Sequence, residues 1–192
     1  SSCIDPGLFW CYSKKQIKEK ESIIQRQKQE QYLWFPVQDI CSKTDALIPG
    51  QLIFLSQLFD LEFPIRNERI STGAATGQIG TNHAIQAGFL EVIERDATIG
   101  AYLTKKNVAR IMNLPKDIAD IVEYLARYRL ETTILDITTD LNIPSVAVVL
   151  FDKTKIGPAL CLGSKAGFTY YDAIKGAVLE AVAENYFPGF ER

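Results

Sequence analysis

The sequence predicts an α+β fold, in which helices lie on a sheet made mainly of strands that are adjacent in the chain. Residues 131–137 and 145–151 are rich in β-branched side chains and are separated by a polar turn, as in paired strands. Residues 158–162 predict a third short strand. Residues 81–97 and 172–185 each show an apolar pattern of helical period after a glycine-containing loop. Strand pairs and loop–helix units together indicate this class.

The N-terminal part of the chain predicts an exposed helix. Residues 13–31 are polar, highly charged and free of glycine and proline, and a thin apolar stripe of this kind is typical of a solvated helix. Docking of a partner or peptide is the alternative interpretation. We therefore divide the chain into a charged extension, residues 1–32, and a core, residues 33–192.

The other elements follow in order. Residues 31–37 are aromatic and strand-like, and their proline places this strand at the edge or end of a sheet. Residues 45–59 contain a Pro49–Gly50 turn and then an apolar run that fits a helix or a strand. Residues 105–112 and 115–129 predict two further helices.

Composition limits the class of protein. The 192 residues suffice for one domain or slightly more, and 21 basic against 23 acidic residues create no field that would attract nucleic acid. We expect no nucleic-acid partner. No run long and apolar enough for a membrane span and no secretory signal are visible, so we expect a cytoplasmic protein without a membrane anchor. Four cysteines lack the close pairing of a zinc site: Cys3, Cys11, Cys41 and Cys161.

The most informative stretch is residues 71–97. It opens with three glycines within eight residues, where backbone can approach a ligand closely. Thr81 and Asn82 then offer a helix N-cap. The helix that follows has an apolar stripe that we expect to face the core. The glycines are Gly73, Gly77 and Gly80, and the stripe is Ile85, Phe89, Val92 and Ile93.

A second face of this helix carries charge. Glu91, Glu94 and Arg95 are spaced i, i+3 and i+4 and so lie together. The residues above them on this face are small, which leaves room for a ligand: Ala84, Ala87 and Gly88. Carboxylates suit Mg²⁺, arginine grips phosphate, and a helix N-terminus favours anions. The pattern indicates a magnesium–nucleotide site, and a solvated face with a Glu91–Arg95 ion pair is the alternative.

The same design recurs near the C-terminus. Gly163 and Gly167 precede the helix at residues 172–185, which aligns with residues 83–96. Small residues again lie above acidic ones, and two such units could close on one ligand from two sides. Chance similarity between ordinary helix residues is the alternative. The small residues are Ala173, Gly176 and Ala177, and the acidic residues are Glu180 and Glu184.

Other chemistry is not indicated. The sequence lacks a P-loop, and its glycines lack the spacing of a dinucleotide fingerprint. No nucleophile elbow is present. His83, the only histidine, could contact phosphate or act as a base, and capping or packing beside the loop is an equal alternative.

Three ordered blocks resemble the YcaO family. These are STGAATG with LEVIERDA, then TILDITTDLNIPSVAVVL, then GSKAGFTYYDAIKGAVLEAVAE, and together they span residues 34–187. The resemblance implies helices packed on a mainly antiparallel sheet with two glycine-loop/helix units. It also implies ATP and Mg²⁺ as cofactors. We predict nucleotide-binding residues at Gly73, Ala75, Gly77, His83 and Arg95, and metal ligands at Glu91 and Glu94. Glu180 and Glu184 are further predicted metal ligands, mainly because of the internal repeat.

The match covers only the middle of a family chain. An earlier glycine loop with its acidic helix and a proline-rich C-terminal tail, both common in the family, have no counterpart here. His83 and Ala87 stand where the family often has Glu and Gln. The resemblance therefore implies an incomplete family domain.

The function that the resemblance implies is ATP-dependent modification of peptide backbone amides, by azoline-forming cyclodehydration or by thioamidation. The amide oxygen is phosphorylated so that it can leave. A peptide substrate, a leader-binding or sulfur-delivery partner and a homo-oligomer are the expected partners. An incomplete or non-catalytic scaffold that binds nucleotide or peptide with another chain is the alternative, and an unrelated α+β protein is a third.

Overall fold

The structure is a computed structural model that describes residues 2–6, 13–19, 32–50 and 80–186. The chain divides into two compact units, residues 1–72 and 73–192. The predicted boundary between residues 32 and 33 falls inside the first unit and stays a prediction.

The first unit contains a three-stranded sheet. Its strand order is β1-β3-β2, with β1 parallel and β2 antiparallel to β3. The edge strand β2 includes Pro36, as the sequence predicts. Only residues 13–19 of the predicted charged helix are described, and the apolar run after Gly50 lies outside the described residues. The elements are β1 (Ser2–Cys3), α1 (Lys14–Glu19), β2 (Trp34–Gln38) and β3 (Asp45–Pro49).

The second unit places helices on both faces of a four-stranded antiparallel sheet, in the order β4-β5-β6-β7. The predicted α+β fold with a mainly antiparallel sheet is confirmed. Within the described residues, no helix is long and apolar enough to cross a membrane. The elements are α2 (Thr81–Thr104), β4 (Ala109–Arg110), α3 (Lys116–Arg127), β5 (Leu130–Asp136), β6 (Ser145–Asp152), β7 (Leu160–Ala166) and α4 (Tyr170–Tyr186).

The main core lies on the face of the sheet that α3 and α4 cover. Alternate residues of the central strand β6 point into it, because successive strand side chains lie on opposite faces. These are Val146, Val148 and Leu150, all almost fully buried. Ile118 of α3 and Val178 of α4 pack against them. We call this the inner face of the sheet.

Small residues bring α4 very close to β7. A Cβ on Gly163 would lie 2.2 Å from the carbonyl oxygen of Ala177 and 2.4 Å from the amide nitrogen of Ala181. Gly163 thus belongs to the strand, and the connection to α4 contains only Gly167. Ala173 and Ala177 are also buried in the core. The prediction that they leave room for a ligand is therefore wrong, because they serve helix–sheet packing.

The outer face of the sheet is covered in part by α2. Ala97 packs against Ile137 and Ala147, with Ala101 beside them. Glu94, Ala97 and Ala101 share a helix face at spacings of three and four residues, and this face meets the sheet.

The predicted core-facing stripe of α2 is therefore largely wrong. Ile85, Phe89 and Val92 are exposed, the last by 66%, and only Ile93 is buried. The helix is rotated relative to the prediction because its small and acidic face, rather than its apolar stripe, lies against β6 and β7.

One predicted helix is absent. Lys105, with φ of 51°, ends α2 in a left-handed conformation. Ala109 and Arg110 then pair with Asp136 and Leu135 of β5, so residues 105–112 form a turn and a short strand. Pairing with an open sheet edge overrides the local helical pattern here. The strand predicted at residues 158–162 begins at Leu160 and runs further, to Ala166.

Candidate functional site

The site lies along β7, which is the last strand of the four-stranded sheet among the described residues. α2 lies on the outer face of β7, and α4 lies on its inner face. Glu94 of α2 and Glu180 of α4 both bind Ser164 of this strand. Two carboxylates from opposite faces of the sheet are thus brought together. We call Glu91, Glu94, Glu180, Ser164 and Lys165 the edge cluster.

Glu94 is the most buried member of the edge cluster, with 5% of its surface exposed. The hydroxyl of Ser164 donates a hydrogen bond of 2.8 Å to its Oε1. Its Oε2 lies 3.4 Å from the ammonium of Lys165. Among the described residues, this buried Oε2 accepts no hydrogen bond. A carboxylate removed from water with one oxygen unsatisfied is costly, so Glu94 needs a cation.

Glu180 completes the carboxylate pair. The backbone N–H of Ser164 donates to its Oε2 over 3.0 Å. Desolvation around the carboxylate raises the pKa of Glu180, and the negative charges of Glu94 and Glu91 add to this effect. The Ser164 hydrogen bond and the Lys165 ammonium act in the opposite direction. Ionisation of Glu180 is therefore less favourable than in water, chiefly because of burial.

Glu91 and Arg95 form the ion pair that the sequence allowed. The Arg95 Nε donates to Glu91 Oε1 over 2.9 Å, and the side chains are 50% and 17% exposed. Arg95 therefore holds a guanidinium at the rim of the edge cluster, where half of its surface is open to solvent. These two residues and Glu94 lie on one helix, as predicted. Glu91 and Arg95 form the ion pair, and Glu94 supplies the buried carboxylate.

The other predicted site residues fall at or beyond the limits of the described chain. Gly73, Ala75 and Gly77 lie outside the described residues. His83 lies half-buried in the first turn of α2, and its role stays a prediction. Glu184 lies on α4, but its side chain is outside the described part. The predicted N-cap is wrong, because Gly80 with φ of 103° occupies that position without a side-chain hydrogen bond.

Sequence reasoning missed Ser164 and Lys165. Both lie in a strand predicted to end at residue 162. A signal was available, since two polar residues stand between Leu162 and Ala166. The interruption of a short apolar strand by a hydroxyl and an ammonium group is typical of a strand edge or a binding site.

The edge cluster fits Mg²⁺ in donor chemistry but does not enclose it. No group of three or more His, Cys, Asp or Glu side chains within the described residues is arranged to hold a metal ion unaided. Mg²⁺ usually takes one or two carboxylates and completes its shell with water and phosphate. The unsatisfied Oε2 of Glu94 and the raised pKa of Glu180 are the features that such a cation would relieve.

A separate apolar cavity lies further along α2. It has a volume of about 220 Å³ and lies between the C-terminal half of α2 and the outer face of the sheet. Thr98, Tyr102 and Leu162 are among the residues that line it, and none of the described members of the edge cluster does. Its chemistry suits an apolar group, so it is distinct from the carboxylate site.

The family is established by the sequence itself. The family model described as YcaO cyclodehydratase, ATP- and Mg²⁺-binding, matches residues 1–185. This chain belongs to the YcaO family. The family resemblance and the cofactor prediction of ATP and Mg²⁺ are thereby confirmed at the level of the family. No curated protein matches the chain.

Solved structures support the same fold. A heterocyclase in complex with substrate and cofactor has a TM-score of 0.66 at 21% identity, covering 95% of this chain and 26% of that one. The Escherichia coli microcin synthetase McbBCD complex with pro-MccB17 bound has a TM-score of 0.60 at 20% identity, and the match covers 80% of this chain and 40% of that one. YcaO from Methanopyrus kandleri bound with AMPPCP and Mg²⁺ has a TM-score of 0.59 at 15% identity, and the match covers 82% of this chain and 42% of that one. The chain thus spans less than half of each of these structures.

Proposed function

We propose that this chain contributes part of the nucleotide and metal site of an enzyme that modifies peptide backbone amides with ATP and Mg²⁺. The reaction class is azoline-forming cyclodehydration or thioamidation. One observation carries the proposal: a buried glutamate, Glu94, with an unsatisfied oxygen, lies beside Glu180 at a sheet edge. Membership of a family described as ATP- and Mg²⁺-binding supports it.

The acidic members of the edge cluster and the neighbouring Arg95 have proposed roles. Glu94, Glu180 and Glu91 hold Mg²⁺ through carboxylate oxygens, and Glu184 is a further candidate on α4. Arg95 exchanges Glu91 for a phosphate oxygen, since a guanidinium binds phosphate bidentately. ATP would supply the phosphoryl group that converts an amide oxygen into a leaving group. The protein's own contribution is to position the reactants and to offset spread negative charge.

The loop before α2 is the proposed nucleotide-contacting segment. Backbone N–H groups of Gly73, Ala75 and Gly77 would meet the phosphates near the N-terminus of α2, where anions are favoured. His83, in the first turn, is a proposed phosphate contact. The assignments of Gly73, Ala75 and Gly77 rest on the glycine-rich pattern and on the resemblance to the YcaO family, whereas that of His83 rests on its position in the first turn of α2.

The proposed partners are a peptide substrate, a leader-binding or sulfur-delivery protein and a second copy of the chain. The microcin synthetase McbBCD complex has pro-MccB17 bound, which supports the peptide as the class of substrate. We propose a cytoplasmic location. The chain spans 26% to 42% of the length of the compared structures, so the activity of a whole enzyme of this class is a proposal for this chain.

A second candidate function is a scaffold that binds nucleotide or peptide without catalysing the reaction alone. It is favoured by the lack, among the described residues, of three acidic groups gathered around one metal position. In this case another chain or segment completes the site.

Titration of ATP with Mg²⁺ by calorimetry tests the proposal. We expect Glu91→Gln to weaken ATP binding by about tenfold or more, which corresponds to about 1.4 kcal/mol. The amide keeps the size of the side chain but removes a negative charge from the edge cluster.

The matched control is Glu123→Gln. Glu123 forms an i,i+4 ion pair with Arg127 on α3, as Glu91 does with Arg95 on α2, but its side chain is 74% exposed. This variant should bind ATP as the unmodified protein does. An equal loss in both variants would contradict the proposed site. No binding at millimolar ATP would favour a scaffold that binds peptide or that needs another chain to bind nucleotide.

A further inference from the structure

Lys165 takes an unusual path around the sheet edge. Its side-chain stem lies against α4 on the inner face, since a Cβ on Gly176 would lie 2.6 Å from its Cγ. Its ammonium lies 3.4 Å from Oε2 of Glu94, which belongs to α2 on the outer face. One lysine thus joins the two helices that carry the carboxylates.

Gly176 makes this path available. A Cβ at this position would also lie 3.1 Å from Cδ and 3.2 Å from Cβ of Lys165. Any other residue would therefore press on the lysine stem along its length. A glycine inside a helix costs about 1 kcal/mol relative to alanine, so its presence here is consistent with a requirement for the lysine.

The ammonium of Lys165 lies close to Glu94 but can be displaced by another cation. The Glu94 Oε2 is near the ammonium yet accepts no hydrogen bond from any described residue. The Lys165 side chain is 41% exposed, so it can turn into solvent without crossing the core. A divalent cation bound at Oε2 would repel the ammonium at this distance, since both are positive.

We propose that Lys165 is an internal counter-ion that holds the place of the metal beside Glu94 and is displaced when Mg²⁺ binds. This inference rests on the proposed function and deepens it. Lys165 neutralises the buried carboxylate when no metal is present, which keeps α2 and α4 together at the sheet edge. The same contact competes with metal for Oε2 of Glu94, so it lowers the affinity of the site for Mg²⁺ alone.

Binding of Mn²⁺ alone, followed by electron paramagnetic resonance, tests this competition. We expect Lys165→Met to bind Mn²⁺ about tenfold more tightly than the unmodified protein, because no ammonium has to leave. In the absence of metal the same variant should melt about 3 °C lower, because Glu94 is then buried without a cation. A saturating concentration of Mn²⁺ should remove this difference.

Lys175→Met is the matched control. Lys175 is 42% exposed, and its ammonium lies 3.5 Å from Asp117, away from the edge cluster. Its removal should leave Mn²⁺ affinity unchanged. Gly176→Ala supplies an independent variant that keeps the positive charge but pushes the lysine stem aside. It should also bind Mn²⁺ more tightly, although by less than Lys165→Met.

The outcomes separate this inference from the proposed function. Equal or weaker Mn²⁺ binding in Lys165→Met, with binding retained in the unmodified protein, would overturn the counter-ion and leave the metal site in place. A lack of Mn²⁺ binding in every variant would overturn the counter-ion, whereas the proposed function would still be decided by the titration of ATP with Mg²⁺. Tighter binding in Lys165→Met and Gly176→Ala, but not in Lys175→Met, supports the inference.

Discussion

Helices α2 and α4 have similar sequences but turn different faces toward the sheet. Aligned over residues 83–96 and 172–185, Ile85 corresponds to Ile174 and Phe89 corresponds to Val178. The pair on α4 is buried, with Ile174 at 3%, whereas the pair on α2 is exposed. Conversely, the buried Glu94 of α2 aligns with the exposed Ala183 of α4.

This difference teaches that an apolar stripe does not by itself choose the buried face of a helix. On α4 the stripe and the small residues both pack on the sheet, so the helix is purely structural along most of its length. On α2 the acidic face meets β7, where Ser164 donates a hydrogen bond to one oxygen of Glu94 and the Lys165 ammonium lies 3.4 Å from the other. The polar partners on the strand, which lie 70 residues away, decide the rotation.

Among the changes that test this difference between α2 and α4, the largest loss of stability is expected at Gly163. Gly163→Ala places a Cβ within 2.9 Å of three backbone atoms of α4. Backbone cannot yield as a side chain does, so α4 must move away from the sheet. We expect a loss of about 3 kcal/mol or more in the free energy of unfolding, measured by urea denaturation.

Gly88→Ala on α2 is the control for this change. Among the described residues, no atom lies within 4 Å of a Cβ at this position. Alanine also has the higher helix propensity, so we expect a gain of up to about 1 kcal/mol. Similar losses in the two variants would mean that α2 packs as tightly along its small residues as α4 does.

A smaller loss of stability is expected when the contact between Asp136 and the first turn of α4 is removed. The hydroxyl of Tyr170 donates to Oδ2 of Asp136 over 2.9 Å, and the N–H of Thr138 donates to Oδ1 over 3.0 Å. Partial burial alone would raise the pKa of Asp136, but these hydrogen bonds outweigh it and hold the pKa below 3.8. Asp136→Asn should cost about 1–2 kcal/mol at pH 7.

The pH dependence of that loss follows from the direction of the shift. A lowered folded-state pKa means that the carboxylate stabilises the fold above pH 3.8 and that this stabilisation is lost as the pH falls through the folded-state value. The difference between Asp136→Asn and the unmodified protein should therefore shrink below pH 3.8. A constant difference between pH 7 and pH 3 would show that the charge is not involved.

Much of the second unit could be predicted from local pattern. β5, β6, α3 and α4 lie where the sequence places them, because their apolar periodicity is strong and is consistent with their burial. The segment at residues 105–112 could not be predicted in this way. Its backbone pairs with β5, 25 or more residues later, and only the tertiary fold reveals that an edge is open there.

The candidate site was predictable in its acidic residues but not in its geometry. The spacing of Glu91, Glu94 and Arg95 indicated a shared helix face, and the structure places the first and last of these in an ion pair. Nothing in that spacing shows that Glu94 would be buried or that Lys165 would reach it from the other face of the sheet. Both facts depend on β7 being the last strand of the described sheet and lying between two helices.

The smallest expected effect on stability is also the sharpest test of how α2 differs from α4. Ala87 lies on the half-buried small strip of α2, one turn before Glu91, and aligns with Gly176 of α4. Ala87→Leu should change the free energy of unfolding by less than about 0.5 kcal/mol, because the described structure leaves this strip incompletely covered.

The same substitution should nevertheless weaken binding of ATP with Mg²⁺ by about tenfold, measured by calorimetry. A leucine would occupy the space that the proposed nucleotide needs beside Glu91. Gln86→Leu, on an exposed neighbouring position, adds a similar side chain outside the strip and should leave ATP affinity unchanged. If Ala87→Leu were strongly destabilising and bound ATP normally per folded molecule, the strip on α2 would serve packing, as the one on α4 does.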